Sequence, residues 1–173
     1  MSTRTAVHIR PERPTDIPGI RAVNLAAFET STEADLVDVL RKEASPIVSL
    51  VAEDRKAIIG HILFSPVALT PHPDVQIMGL APMAVVPARQ RCGIGSALVQ
   101  EGLAQCRRLG FAAVIVLGHA EYYPRFGFRP ASQFGLSSQY DVPDEVFMAL
   151  ELDKDILRGR SGRIRYHAAF ASV

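Results

Sequence analysis

Cysteine is scarce in this chain: Cys92 and Cys106 are the two among 173 residues. Two thiols build neither a disulfide scaffold nor a cysteine-based zinc site. If both sit on one helix, the ~21 Å between them excludes a bond. No apolar run approaches the ~20 residues of a membrane helix. The start, Met1-Ser2-Thr3-Arg4-Thr5 and then His8-Ile9-Arg10-Pro11, holds no apolar signal core. A cytoplasmic protein with reduced thiols, no metal and no membrane partner is expected.

Net charge is also small. Nineteen basic and eighteen acidic side chains leave +1, which excludes a general nucleic-acid binder. Lysine is rare, with only Lys42, Lys56 and Lys154 among the basic residues. Arginine makes planar, bidentate contacts to phosphate or carboxylate, so the position of each one matters more than the total. Genomic composition accounts for the bias equally well. Repeats and low-complexity tracts are absent. What is present is 48% hydrophobic and 21% charged residues, a globular composition long enough to bury a core. One domain over residues 1–173 is expected.

The pattern predicts a strand from Ala6 to Arg10, stopped by Pro11 and Pro14, then a helix from Thr15-Asp16 to Ala27. Ser31 to Asp35 offers an N-cap and early acids for a second helix, with Leu36, Val39 and Leu40 facing inward. Strands follow at Ile47–Ala52, Ala57–Val67 and Val75–Val85, separated by polar turns. Pro82 lies inside the third and cannot donate to a ladder, so a bulge or break is expected there. Gly93 to Leu109 is the clearest helix, with a small-and-apolar stripe of Gly95, Leu98, Val99, Gly102, Leu103 and Cys106. Gly110 ends it, and Ala112–Leu117 reads as a buried strand. An antiparallel meander therefore leads into a βαβ-like unit. A helical turn fits Glu121–Phe126. Val146–Leu152 and Tyr166–Phe170 read as final strands, with Leu157–Arg165 a polar loop between them.

The most informative stretch is Met83-Ala84-Val85-Val86-Pro87-Ala88-Arg89-Gln90-Arg91-Cys92-Gly93-Ile94-Gly95-Ser96. A strand ends, basic and amide side chains follow, and two glycines open a helix. Unpaired N–H groups at a helix N-terminus suit a phosphate, and glycines let it approach the backbone. A Walker loop needs Gly-Lys-Ser/Thr, which is missing. A dinucleotide fingerprint needs a third glycine where Leu98 stands. Gln90-x-x-Gly93-x-Gly95 remains, and after the next strand comes Tyr123-x-x-x-Gly127-Phe128.

These two elements, in this order, resemble the GNAT superfamily of acetyl-coenzyme A-dependent N-acetyltransferases. The resemblance is strong over about residues 77–130. Flanking pieces such as Ser49-Leu50-Val51-Ala52-Glu53 and Val142-Pro143-Asp144-Glu145 resemble a bacterial subgroup of predicted N-acetyltransferases. It implies an α+β fold: a mixed, mainly antiparallel sheet of six to seven strands flanked by helices, with splayed central strands. It also implies acetyl-CoA as cosubstrate and an amine acceptor, a small molecule or a protein amine. Many relatives carry an Asn shortly after the strand ending near Leu117, where this chain has Gly118-His119-Ala120.

On this resemblance the backbone of Met83, Ala84 and Val85 would pair with the pantetheine arm. An N–H near Val85 would polarise the acetyl carbonyl. The pyrophosphate would lie over Arg91, Cys92, Gly93, Ile94, Gly95 and Ser96, with the Gln90 side chain assisting. Tyr123 is the candidate acid that donates to the leaving sulfur. The alternative is a packing aromatic beside Tyr122, Phe126 and Phe128. The base stays open among Glu29, His119 and water. Cys92, near a helix N-terminus, allows a covalent acetyl-enzyme, and a plain loop residue is the simpler reading. The competing function is a non-catalytic acyl-CoA sensor or interaction domain. A homodimer is compatible with the exposed strand edges expected of such a sheet.

Overall fold

The two prolines near the start bracket the first chain reversal. The strand before them is β1, His8–Pro11. The expected beginning at Ala6 lies outside the described residues, because the computed structural model describes residues 7–173. Arg10 on β1 is buried. It donates to both oxygens of Asp16 at 2.7 and 2.9 Å and through Nε to Glu53 at 2.7 Å. This planar, two-pronged pairing suits arginine and would be lost with lysine. It also holds the Asp16 carboxyl below the usual carboxylate range.

A short 3₁₀ turn, Pro14–Asp16, feeds α1, Ile17–Ala27, and α2 follows at Thr32–Glu43. Ser31 stands at the N-cap of α2, but its hydroxyl donates to Asp35 and caps no amide. The inner face of α2 is Ala34, Leu36, Val37 and Leu40. Val39, expected to face inward, is exposed because it lies about 200° around the helix from Val37. Leu25 on α1 is likewise exposed.

Strands β2 (Val48–Asp54), β3 (Ala57–Thr70) and β4 (Ile77–Val85) form the expected antiparallel meander. Their alternation serves two layers. Leu50, Ile62 and Phe64 face the core under α3, Ile94–Arg108. Val51 and Leu63 face the core shared with α1 and α2. Of the α3 stripe, Leu98, Val99, Gly102, Leu103 and Cys106 are buried, while Gly95 at the first turn is only half-buried. A Cβ on Gly102 would collide with the Phe64 ring, so the glycine lets the helix lie close on the sheet.

After α3 the chain forms β5 (Ala113–Leu117), β6 (Arg129–Pro130), β7 (Leu136–Ser138), β8 (Phe147–Glu151) and β9 (Gly162–Arg165). The main sheet runs β1-β2-β3-β4-β5-β8-β6. The β4–β5 pair is parallel, and the other pairs along this path are antiparallel. This is the expected α+β architecture.

The C-terminal reading needs correction. Tyr166–Phe170 is not a strand: Ala168–Ser172 is a 3₁₀ turn, opened by His167 Nδ1 accepting from the Ala169 N–H. The strand is β9, inside the stretch read as a loop. The reason is the length of β3, which runs on to Thr70 and offers Ala68–Thr70 as an edge to Arg163–Arg165. Gly162 enables that approach, since a Cβ there would strike the Thr70 carbonyl. Among the described residues, no helix is long and apolar enough to cross a membrane.

His61 on β3 is fully buried and ties β2, α1, α2 and the segment after β1 together. Ser49 donates to Glu12 at 2.9 Å and so must accept from His61 Nε2, also at 2.9 Å. Nδ1 is then bare and accepts from Asn24 on α1 at 3.4 Å. Arg41 of α2 completes the chain by pairing with Glu12 at 2.7 Å. Burial holds the His61 pKa down, to about 4, with Arg41 acting in the same direction and Glu12 against it.

Two outcomes are expected. Gly102→Ala should cost about 1–3 kcal/mol by overpacking, read from urea unfolding at neutral pH. Because His61 takes up a proton more readily when unfolded, its stabilisation is present above the ordinary value of 6.5. It is lost as pH falls from there towards about 4. Unfolding midpoints should therefore drop over that window, and His61→Gln should flatten the profile there.

Candidate active site

The gap at the centre of the sheet comes from one extra residue. On β3, Ile62 is opposite Met83 and Phe64 is opposite Leu80, so Leu63 alone faces Ala81 and Pro82. This is the bulge expected at Pro82. The β4–β5 ladder covers Ile77–Leu80 against Ala113–Val116 and stops where the bulge begins. Past that point the two parallel strands part. Val86 N–H donates to Ile59 at 2.9 Å, and Ala84 is registered with His61. By alternation the peptide groups of Met83 and Val85 turn away from β3 into the gap, whereas those of Ala84 pair across to His61. The Gln90 side chain donates to the Val85 carbonyl at 3.0 Å, which leaves the Val85 N–H and both Met83 groups for a ligand.

Next to the gap lies the N-terminus of α3. Gly93 has φ of 84°, and a Cβ there would meet no atom, so backbone conformation alone demands glycine. The N–H groups of Ile94, Gly95 and Ser96 lie in the first turn and have no helical partner. Around them is a cavity of about 650 Å³ lined by Met83, Val85, Gln90, Gly95, Tyr122, Arg125 and others. Arg89, Arg91 and Arg125 all line it. Arg89 is paired with Asp54 at 2.7 Å, while Arg91 and Arg125 have no carboxylate partner among the described residues. Arg125 lies 4.4 Å over the Tyr122 ring and donates to the Tyr122 carbonyl at 2.8 Å. Tyr122 Oη in turn meets Ser96 Oγ at 3.1 Å. The cavity is therefore positive and rich in donors, the chemistry of a phosphate site.

Two of the predicted loop residues contribute no side chain to it. Ile94 is buried in the core against β2 and β3. Cys92 is exposed, and its thiol is turned to the Gln90 carbonyl at 3.5 Å.

A second cavity, of about 610 Å³, opens on the other side of the gap. Met83, His119 and Tyr123 line both cavities. Tyr123 is buried at the start of a 3₁₀ turn, Tyr123–Phe126, with Phe128 at a ring distance of 5.7 Å and Tyr122 at 5.1 Å. Burial pushes its phenol up to about 12, so it is protonated at neutral pH. A Cβ on Gly118 would collide with the Tyr123 ring. Gly118 thus makes room for Tyr123. Of the two candidate bases, His119 is exposed and borders both cavities, whereas Glu29 is exposed and lines neither. Glu33, four residues on from Glu29, does line the second cavity.

Sequence reasoning did not single out Tyr122, Arg125 or Glu33 for this site. Arg125 and Tyr122 border or lie within the Tyr123-to-Gly127 element, so they were within reach. Glu33 looked like any helix-opening acid until its face was known.

A family model for an acetyltransferase (GNAT) domain matches residues 46–130. Over 163 residues the chain is 38% identical to the Escherichia coli K12 protein named uncharacterized N-acetyltransferase YhbS, covering 94% of this chain and 97% of that one. The chain therefore belongs to the GNAT acetyltransferases. It is similar in structure to E. coli YhbS solved in complex with CoA, with a TM-score of 0.92, 36% identity, and coverage of 99% and 95% of the two chains. A Brucella melitensis GNAT acetyltransferase solved in complex with acetyl-CoA gives a TM-score of 0.80 and 39% identity, covering 96% of this chain and 99% of that one.

The Gly118–Tyr123 packing is testable. Gly118→Ala should displace the Tyr123 ring and cost about 1–3 kcal/mol, seen as a lower unfolding midpoint and a moved ring in a crystal structure. An unmoved ring would contradict this account.

Proposed function

We propose that this protein transfers acetyl from acetyl-CoA to a primary amine by direct attack within a ternary complex. The observation that carries the reading is the parting of β4 from β5 beside the α3 N-terminus, with Tyr123 facing both cavities across the gap. The residues present fit the cosubstrate. Met83 and Val85 offer peptide groups to the two amides of the pantetheine arm, as an added strand would use them. The N–H groups of Ile94, Gly95 and Ser96, with Arg91 and Arg125, suit the phosphates. Gln90 orients the end of β4 through the Val85 carbonyl, and Gly93 shapes the turn.

In the reaction, a neutral amine nitrogen attacks the thioester carbon. The Met83 N–H, the other free amide on this strand edge near Val85, receives the charge that develops on the carbonyl oxygen. The new C–N bond forms, the C–S bond breaks, and the nitrogen gives up one proton. Tyr123, whose phenol carries its proton at neutral pH, donates a hydrogen bond to the departing sulfur and stabilises its charge. The sulfur ends as a thiol, so the proton lost by nitrogen balances the one gained by sulfur. His119 or water, both with access to the two cavities, carries the nitrogen's proton away.

Tyr123→Phe should lower kcat by on the order of tenfold to a hundredfold, followed by thiol release from acetyl-CoA. The Kd for coenzyme A, measured by calorimetry, should stay within about twofold. An unchanged kcat would remove Tyr123 from the reaction. Tight acetyl-CoA binding with no amine-dependent release across a broad panel would favour a sensor.

A further inference from the structure

The second cavity differs in character from the phosphate side. One wall is where β4 and β5 part, Gly79–Met83 with Ile115, Leu117 and Gly118. The other wall is aromatic: Phe28 at the end of α1, Tyr140, and Tyr166 with Phe170 from the C-terminal segment, joining Tyr123 at the gap. Tyr140 and Tyr166 pack as tilted rings with centres 5.4 Å apart, and Tyr166 and Phe170 likewise at 5.4 Å. Among the described residues no lysine or arginine lines this cavity, and Glu33 is the one carboxylate side chain that does. The Glu33 Oε2 atom is buried and has no hydrogen-bond partner among the described residues.

An acceptor carboxylate or phosphate entering here would meet the Glu33 carboxylate and no lysine or arginine among the described residues, and would lose its hydration poorly compensated. A second ammonium would find no second carboxylate side chain among the described lining residues. A single ammonium finds both a carboxylate and aromatic faces, and a flat apolar body finds rings to stack on.

Resting on the acetyl-transfer reading above, we propose that the acceptor is a singly charged primary amine on a flat aromatic body with no anionic group. Glu33 is the residue that selects and holds its ammonium form. The held amine loses its proton before attack, so Glu33 acts on acceptor binding and the chemistry stays with the groups at the gap.

The test compares 2-phenylethylamine, phenylalanine and spermidine as acceptors, with thiol release from acetyl-CoA as the readout. The expected result is a kcat/KM for phenylethylamine at least about tenfold above the other two. Glu33→Gln should raise its KM about tenfold or more, with kcat within about threefold and the Kd for coenzyme A unchanged. Preference for phenylalanine or spermidine, turnover of none of the three, or an unaltered KM in Glu33→Gln overturns this inference and leaves acetyl transfer standing. Failure of the native protein to bind acetyl-CoA overturns the reading on which it rests.

Discussion

The site depends on one mismatch of count between two strands. Two residues of β4, Ala81 and Pro82, stand opposite the single residue Leu63 of β3. A regular ladder would have carried the β4–β5 pairing to the strand ends and filled the sheet with backbone hydrogen bonds. The extra residue turns β4 away from β5 after Leu80, and proline has no N–H with which to repair the ladder. The gap is therefore a product of secondary-structure chemistry, and it is held open by a core on each face of the sheet. Phe64 against Gly102 fixes α3 on one side, and Leu63 packed with α1 and α2 fixes the other.

Two cavities of opposite character meet at that gap. On one side, helix amides and arginines free of acidic partners gather positive charge, although the chain as a whole is nearly neutral. On the other side, aromatic rings surround the Glu33 side chain. The abundance of arginine over lysine acquires a local meaning in this arrangement. Arg10 uses its fork on Asp16 in the scaffold, Arg41 binds Glu12 to brace α2, and Arg89 is held by Asp54. Only some of the arginines remain for a ligand, and sequence counts do not distinguish them.

Much of the fold was legible because its signals are local. The α3 stripe repeats at helical spacing, Ala112–Leu117 is a continuous apolar run, and Pro82 interrupts a strand by chemistry that needs no tertiary context. The C-terminal segment was misread because its signals are weak and its partner distant. Arg163 and Arg165 on β9 look like loop residues, yet the overlong β3 supplies an edge that draws them into a strand. Tyr166 and Phe170, whose apolar bulk resembles a strand, instead turn their rings towards the second cavity.

By itself, the sequence determined the glycine-opened start of α3, the Tyr123 element, their order, and the break in β4. Each of these follows from what a few consecutive residues can do: glycine at positive φ, proline without a donor, amides at a helix start. Tertiary structure decided which side chains share a space. It brought Arg125 to the loop, Tyr123 over Gly118, and Glu33 into the aromatic cavity while leaving Glu29 outside. These choices depend on helix phase and on contacts between distant segments, where a difference of one residue in four moves a side chain from solvent to site. No local pattern encodes that difference.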